Sequence, residues 1–235
     1  LPVATPGATP EGTAAATDKR GMDALSVLRG LLDLIAPLRC PGCDVPVDRD
    51  DDAEPPPDPH ISAFCDACWP ALELFPGAEA LYSYGGPLAD AIKRLKYDGR
   101  MDTLRGLTPL MDRAYASMVG QVDMVVSVPL HPKRRIARGF DQSALLVQPL
   151  AKALGVPLRR NVLARTRDTP PQAQLDADAR SRNVMGAFTA VPLRGERVLL
   201  FDDVRTTGAT LDAASAALLE AGAGTVIMLS LAGRT

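Results

Sequence analysis

The stretch VLLFDDVRTTGATLDAASAALLEAG, Val198 to Gly222, limits the possible folds more than any other part of the chain. Four apolar residues run into two adjacent acids. A loop of three threonines and a glycine follows, and then a run with apolar residues at helical spacing. An apolar run without alternation reads as a strand buried on both faces, which calls for a parallel sheet covered by helices. Ligands in open α/β sheets bind at the carboxyl ends of the strands, and Asp202 and Asp203 stand at such an end. Leu211, Ala214, Leu218 and Ala221 give the helix its apolar side, and Gly222 its stop.

The loop itself, Thr206, Thr207, Gly208, Ala209 and Thr210, suits an anion. Backbone N–H groups at a helix start are unpaired and the helix dipole is positive there, so phosphate is favoured. The threonines add hydroxyl donors, and Gly208 lets the backbone come close. The loop has no lysine and no upstream glycine at P-loop spacing, so the Walker A pattern fails and one phosphate is the natural guest. Carboxylates accept hydrogen bonds from hydroxyls, so two acids beside a monophosphate cradle suit a sugar phosphate such as ribose 5-phosphate, with Mg²⁺ nearby. The plainer alternative is a solvated strand end followed by an ordinary capped helix.

Apolar runs such as VDMVVSVPL, NVLARTR, GAFTAV and TVIMLSLAG alternate with helical patterns from about Ala78 onward. Those helices are PLADAIKRLKYDG, TLRGLTPLMDRAYASMV and DQSALLVQPLAKALG. The alternation predicts βαβ units in one parallel sheet. Residues 1–21, rich in Pro, Ala, Thr and Gly, are expected to be a disordered tail; Met22 is an alternative natural start. Leu25, Leu28, Leu32 and Ile35 predict a helix closed by Pro37. Asp23, Arg29 and Asp33 break this segment as a signal peptide, and no run of 18 apolar residues exists. A cytoplasmic location without membrane insertion is expected. The net charge of −2 gives no global pull toward nucleic acid or an anionic membrane.

Between these parts lies a segment of turns and acids that holds all four cysteines and has no core of its own. Cys40 with Cys43, and Cys65 with Cys68, form two C-x2-C pairs separated by 21 residues. Each turn aims two thiolates at one point, and two turns close a tetrahedron around Zn²⁺. Four thiolates leave no open position, so the ion would be structural. Two disulfides or four unrelated thiols are the alternatives. Gly42 is expected to permit the first turn, and His60 to be an exposed loop residue. Nine acids stand between Pro37 and Pro76 against Arg39 and Arg49, which disfavours phosphate contact by this module.

The stretch from Val198 to Leu211 resembles the 5-phosphoribosyl diphosphate (PRPP) motif of the phosphoribosyltransferases. With the paired C-x2-C ribbon, VPLHPKRRIARGFDQ and TPPQAQLDADARSRNVMGAF, the chain is similar more narrowly to the ComF family of competence-type proteins, over nearly everything from Met22 onward. The resemblance implies a type I phosphoribosyltransferase fold over 77–235, behind an N-terminal helix and zinc ribbon over 22–76. It places Lys133, Arg134, Arg135 and Arg138 on the pyrophosphate of PRPP, where cations with Mg²⁺ stabilise the leaving group. It also implies that a hood carrying Arg165, Arg167, Gln172, Arg180 and Asn183 closes over the site. The basic loop can equally be a solvated face or a nucleic-acid contact, and the hood an exposed loop. Two positions depart from the family pattern: Asp141 stands where Asn is expected, and Arg205 where an apolar residue is common.

No side chain stands out as a general base, and His131 is the only histidine near the expected site. Two functions follow. One is an enzyme that moves phosphoribose from PRPP to an unknown acceptor, with Asp202, Asp203, Arg134 and Arg135 as its catalytic set. The other is a non-catalytic PRPP-binding module in DNA uptake, contacting single-stranded DNA or uptake proteins through basic stretches such as KRLKYDGR.

Overall fold

Strand β5, Arg197–Arg205, is the spine of the molecule. In the computed structural model, which describes residues 38–47, 63–167 and 186–234, it lies between two parallel neighbours. The strands of the main sheet are β1 (Ala80–Ser83), β2 (Met124–Ser127), β5 and β6 (Thr225–Gly233), in the order β1-β6-β5-β2, all parallel. Parallel sheets are covered on both faces, and β5 shows why its apolar run does not alternate. Val198 and Leu200 pack with Leu211, Ala214 and Leu218 of the helix that follows β5. Leu199 and Phe201 point the other way and pack with Leu88 and Ile92, and with Leu146 and Leu150. These four β5 residues have no exposed surface.

The helices supply those two covers. Helix α1, Gly86–Tyr97, starts with Pro87 in its first turn and buries Leu88, Ala91, Ile92 and Leu95. The segment expected to form one helix from Thr103 to Val119 is broken instead. Short helix α2 (Leu104–Leu107) gives way to a 3-10 stretch over Pro109–Ala114 and then to α3 (Tyr115–Met118). Pro109 has no N–H to donate back along a helix, so the turn tightens there. The strand β1 carries no expectation from the sequence, because four residues are too short for a period to register.

Helix α4, Pro132–Arg138, occupies the segment expected to be a basic loop, and no residue of it is buried. Helix α5, Gln142–Ala153, begins at Asp141, whose carboxylate accepts from the Ala144 N–H at 3.1 Å. Asp141 is thus a helix cap, a task that asparagine performs equally well. Helix α6 spans Ala209–Glu220.

Two expected strands lie outside the main sheet. β3 (Leu163–Arg165) and β4 (Phe188–Ala190) pair antiparallel with each other and form a separate ribbon at the two ends of the middle loop. Leu163 and Phe188 pack with Leu211 and Ala214 of α6. The expected tail, the helix from Met22 to Ile35, His60, and the hood residues Gln172, Arg180 and Asn183 lie outside the described residues. Among the described residues, no helix is long and apolar enough to cross a membrane.

Candidate functional site

The four cysteines meet. Their sulfur atoms lie within 4.8 Å of one another, with Cys43 and Cys65 at 3.6 Å, and none is in a disulfide. A tetrahedron with metal–sulfur bonds of about 2.3 Å has edges of about 3.8 Å, so the cluster can hold a structural metal such as zinc. The Cys65 N–H points at Cys40 Sγ at 3.4 Å, the kind of outer contact that steadies a thiolate ligand. Burial works to raise the Cys40 thiol, yet the backbone N–H groups of Cys65, Cys43 and Gly42 bring it down to about 7.

This module does not stand apart from the sheet. Cys40, Cys68 and Phe64 belong to the same apolar cluster as Leu88, Ile92 and Leu107. Arg94 of α1 donates to the carbonyls of Pro41 and Gly42, and Arg100 Nη2 reaches Asp44 Oδ1 at 2.8 Å. Gly42 serves close packing, not the turn: a Cβ there would stand 2.6 Å from Pro87 Cβ. The left-handed residue of the turn is Asp44, at φ 65°.

The acid pair lies at the carboxyl end of β5. Asp203 is buried and continues the face of Leu199 and Phe201. Its Oδ1 receives Lys96 Nζ, from the last turn of α1, at 2.7 Å. Its Oδ2 is buried with no hydrogen-bond partner among the described residues. Burial alone would lower the Lys96 ammonium, but the Asp203 carboxylate, with Asp202 behind it, raises it above the usual lysine range. Asp202 is half-buried and opens on a cleft that it lines with Arg205, Thr206, Gly208 and Thr210. Its Oδ1 accepts from Ser143 Oγ of α5 at 3.2 Å and from the Asp203 N–H at 2.9 Å. Burial, followed by the charge of Asp203, pushes the Asp202 carboxyl up to about 7.

That shift has a measurable consequence. Between the ordinary carboxyl range and about pH 7 the folded state holds a proton on Asp202 that the unfolded state has released. Stability therefore falls as pH rises through that window, and the cost is fully present above it. The shift sets a ceiling of about 4 kcal/mol, and solvent screening at this partly exposed group lowers the expected effect to about 2 kcal/mol. Asn keeps the acceptor oxygen for Ser143 and cannot ionise. Asp202→Asn is expected to match the wild type near pH 4 and to be about 2 kcal/mol more stable near pH 8 by urea denaturation. A variant less stable than wild type near pH 8 would contradict this account of Asp202.

The threonine loop sits where the sequence predicts. Gly208 caps α6 at φ 86°, a left-handed conformation that suits glycine, and no side chain caps this helix end. Ala209 N–H points at Thr207 Oγ1 at 3.5 Å. Arg205 is the surprise: its guanidinium lies 3.1–3.4 Å from where a Cβ on Gly208 would stand, and it lines the same cleft. In the sequence Arg205 stands out only as a departure, Lys96 only as part of the basic run KRLKYDGR, and Ser143 not at all.

The basic segment and the hood are less gathered. Arg138 donates to Gln142 Oε1 at 2.6 Å and lies 5.7 Å from the Tyr97 ring. Lys133 and Arg134 have interactions of their own, and Arg135 is exposed. His131 caps α4, accepting from the Lys133 N–H. Arg165 stacks on Phe188 at 5.4 Å across the β3–β4 ribbon, and Arg167 is exposed. The stretch KRLKYDGR is not a free basic track. Lys93 pairs with Asp90, Arg94 holds the cysteine turn, Lys96 meets Asp203, and Arg100 pairs with Asp44 and Asp102.

No protein-family model matches the chain. It is 32% identical over 193 residues to DNA utilization protein YhgH of Salmonella typhi, covering 80% of each protein. It is also 32% identical over 148 residues to Competence protein F of Haemophilus influenzae, covering 59% of this chain and 65% of that one. Among solved structures, purine phosphoribosyltransferase from Pyrococcus horikoshii Ot3 covers 53% of the chain with 72% of its own, at 20% identity and a TM-score of 0.31. That score reflects a partial likeness.

Proposed function

The chain belongs to the ComF family of competence proteins, and from that premise we propose that it binds PRPP and transfers phosphoribose to an acceptor with release of pyrophosphate. The observation that carries this reading is the acid pair at the strand end beside a helix start without a side-chain cap, with Gly208 in the left-handed conformation between them. The 5-phosphate takes the N–H groups and hydroxyls of Thr206, Thr207, Gly208, Ala209 and Thr210. Ribose hydroxyls donate to Asp202 and Asp203. Lys133, Arg134, Arg135 and Arg138 face the diphosphate, and the hood, with Arg165 and Arg167 at its start and Gln172, Arg180 and Asn183 further along it, keeps water out. Mg²⁺ bound with the diphosphate would add to the charge that Lys133, Arg134, Arg135 and Arg138 set against the leaving group. The site of action is the cytoplasm.

Bond breaking at the anomeric carbon passes through an oxocarbenium-like state, in which positioning and charge suffice without a general base. Cations that meet the leaving pyrophosphate favour the transition state over bound PRPP. Two measurements follow. Asp202→Asn with Asp203→Asn is expected to weaken PRPP binding, by calorimetry, by about 1.5–3 kcal/mol for each charged hydrogen bond lost. Arg134→Ala with Arg135→Ala is expected to lower pyrophosphate release from Mg²⁺–PRPP and a nucleobase pool far more than PRPP affinity. A wild-type protein that releases no pyrophosphate with any acceptor removes the catalytic half of the reading.

A second reading has its own support. The relatives' names place them in DNA utilization and competence, and α4 presents Ile136 at 81% exposure next to exposed Arg135. On this reading the chain binds PRPP without turnover and meets single-stranded DNA or uptake proteins through α4. Salt-dependent DNA binding that is lost in Arg134→Ala with Arg135→Ala, without pyrophosphate release, would favour it.

A further inference from the structure

Two carboxylates beside an anion cradle pose an electrostatic problem, because an approaching phosphate meets two like charges. The structure shows what offsets them. Lys96, 107 residues away in sequence, brings its ammonium to 2.7 Å from Asp203 Oδ1. Asp203 is buried and Lys96 half-buried, with side-chain exposures of 5% and 18%. Only one carboxylate oxygen is used: Asp203 Oδ2 is buried and has no hydrogen-bond partner among the described residues. A buried carboxylate oxygen without a donor carries a desolvation cost, and a ligand donor removes it.

We propose that Lys96 is the positioning residue of this site: it fixes the Asp203 carboxylate by one oxygen, leaves the other as the acceptor for a ligand hydroxyl, and cancels one of the two negative charges that an anionic ligand would meet. The proposal rests on the PRPP reading and adds a residue from outside the strand–loop–helix motif. Lys96 acts through Asp203 and does not itself touch the ligand.

Other charged groups near the pair shape its response to pH. Tyr97 neighbours Lys96 on α1, Asp202 stands next to Asp203 on β5, and Asp141, the cap of α5, feels the Asp203 charge. Without Lys96, three acids share this end of the sheet with no cation against Asp203. Repulsion of a phosphate ligand is then strongest where Asp202 and Asp141, both held above the usual carboxyl range, have ionised.

The test is PRPP binding by calorimetry at two pH values, with Lys96→Met, Asp203→Asn and the double variant. Lys96→Met is expected to weaken binding about tenfold or more near pH 8 and clearly less near pH 6, where protonation relieves the repulsion. Lys96→Arg is expected to recover part of the loss. In the Asp203→Asn background, Lys96→Met is expected to change affinity by less than about twofold, because coupled residues do not add. This last comparison stands even where Lys96→Met alone folds poorly. A loss equal at both pH values, or a full further loss in the Asp203→Asn background, overturns the proposal. A wild-type protein that does not bind PRPP overturns the underlying reading instead, so the two failures are distinguishable.

Discussion

Zinc is expected at one ion per chain in protein purified without chelators, and stripping it is expected to loosen α1 as well as the cysteine module. Sequence reasoning confines the damage to residues 37–76, because that segment has no core of its own. The structure widens it. Cys40 and Cys68 are buried in the cluster that contains Leu88 and Ile92, and Arg94 and Arg100 hold the first cysteine turn by its carbonyls and by Asp44. Structural zinc sites contribute about 10–16 kcal/mol of apparent binding free energy at neutral pH, so no other change considered is as large. Hydrogen exchange with and without chelator, read over 38–47, 63–76 and 86–97, checks this. Elemental analysis that finds no metal would remove the zinc site. Protection in α1 that survives chelation would show that the module is docked without being needed by the sheet.

Asp203→Ala is expected to destabilise the fold by about 3 kcal/mol, the low end of what breaking a buried ion pair costs, because Lys96 keeps some exposure. The loss comes from the partner left behind: an ammonium inside the protein with no carboxylate against it. Adding Lys96→Met to Asp203→Ala is therefore expected to recover most of the stability, since an apolar side chain of similar length suits the site. Urea denaturation of the wild type and the two variants near pH 7 is the measurement. An Asp203→Ala variant within about 0.5 kcal/mol of wild type would mean that the pair contributes little, and that Asp203 is available to ligand without help from α1.

The acid pair thus has opposite effects at its two positions. Removing charge at Asp202 is expected to stabilise the fold above neutral pH, while removing it at Asp203 is expected to cost stability. The difference is one lysine. Stability lost at a ligand-binding carboxylate is a common feature of functional sites, where groups are held ready for a ligand and not for the fold.

Legibility of the molecule in its sequence depended on distance along the chain. The strand Val198–Phe201, the acids, the threonine loop and the helix to Glu220 are one continuous run, and each link follows from neighbours: burial on both faces, the left-handed Gly208, the apolar side of α6. The C-x2-C pairs were legible for the same reason, since a turn of four residues already aims two thiols together. Local signals also failed where they were short or interrupted, as at β1 and around Pro109.

What only the tertiary structure decided are the long-range pairings. NVLARTR and GAFTAV look like members of the parallel sheet, yet they pair with each other, while the outer edge of β2 is met by the chain at Leu158, bridged parallel to Val125. KRLKYDGR looks like a solvated basic run, yet packing Leu88, Ile92 and Leu95 of α1 against the sheet turns Lys96 toward Asp203 and Arg94 toward the cysteine turn. A sequence fixes which residues carry charge and which faces are apolar. Which charge meets which is settled only when the apolar faces close, because the attraction between ions is weak in water and becomes selective where burial removes the water between them.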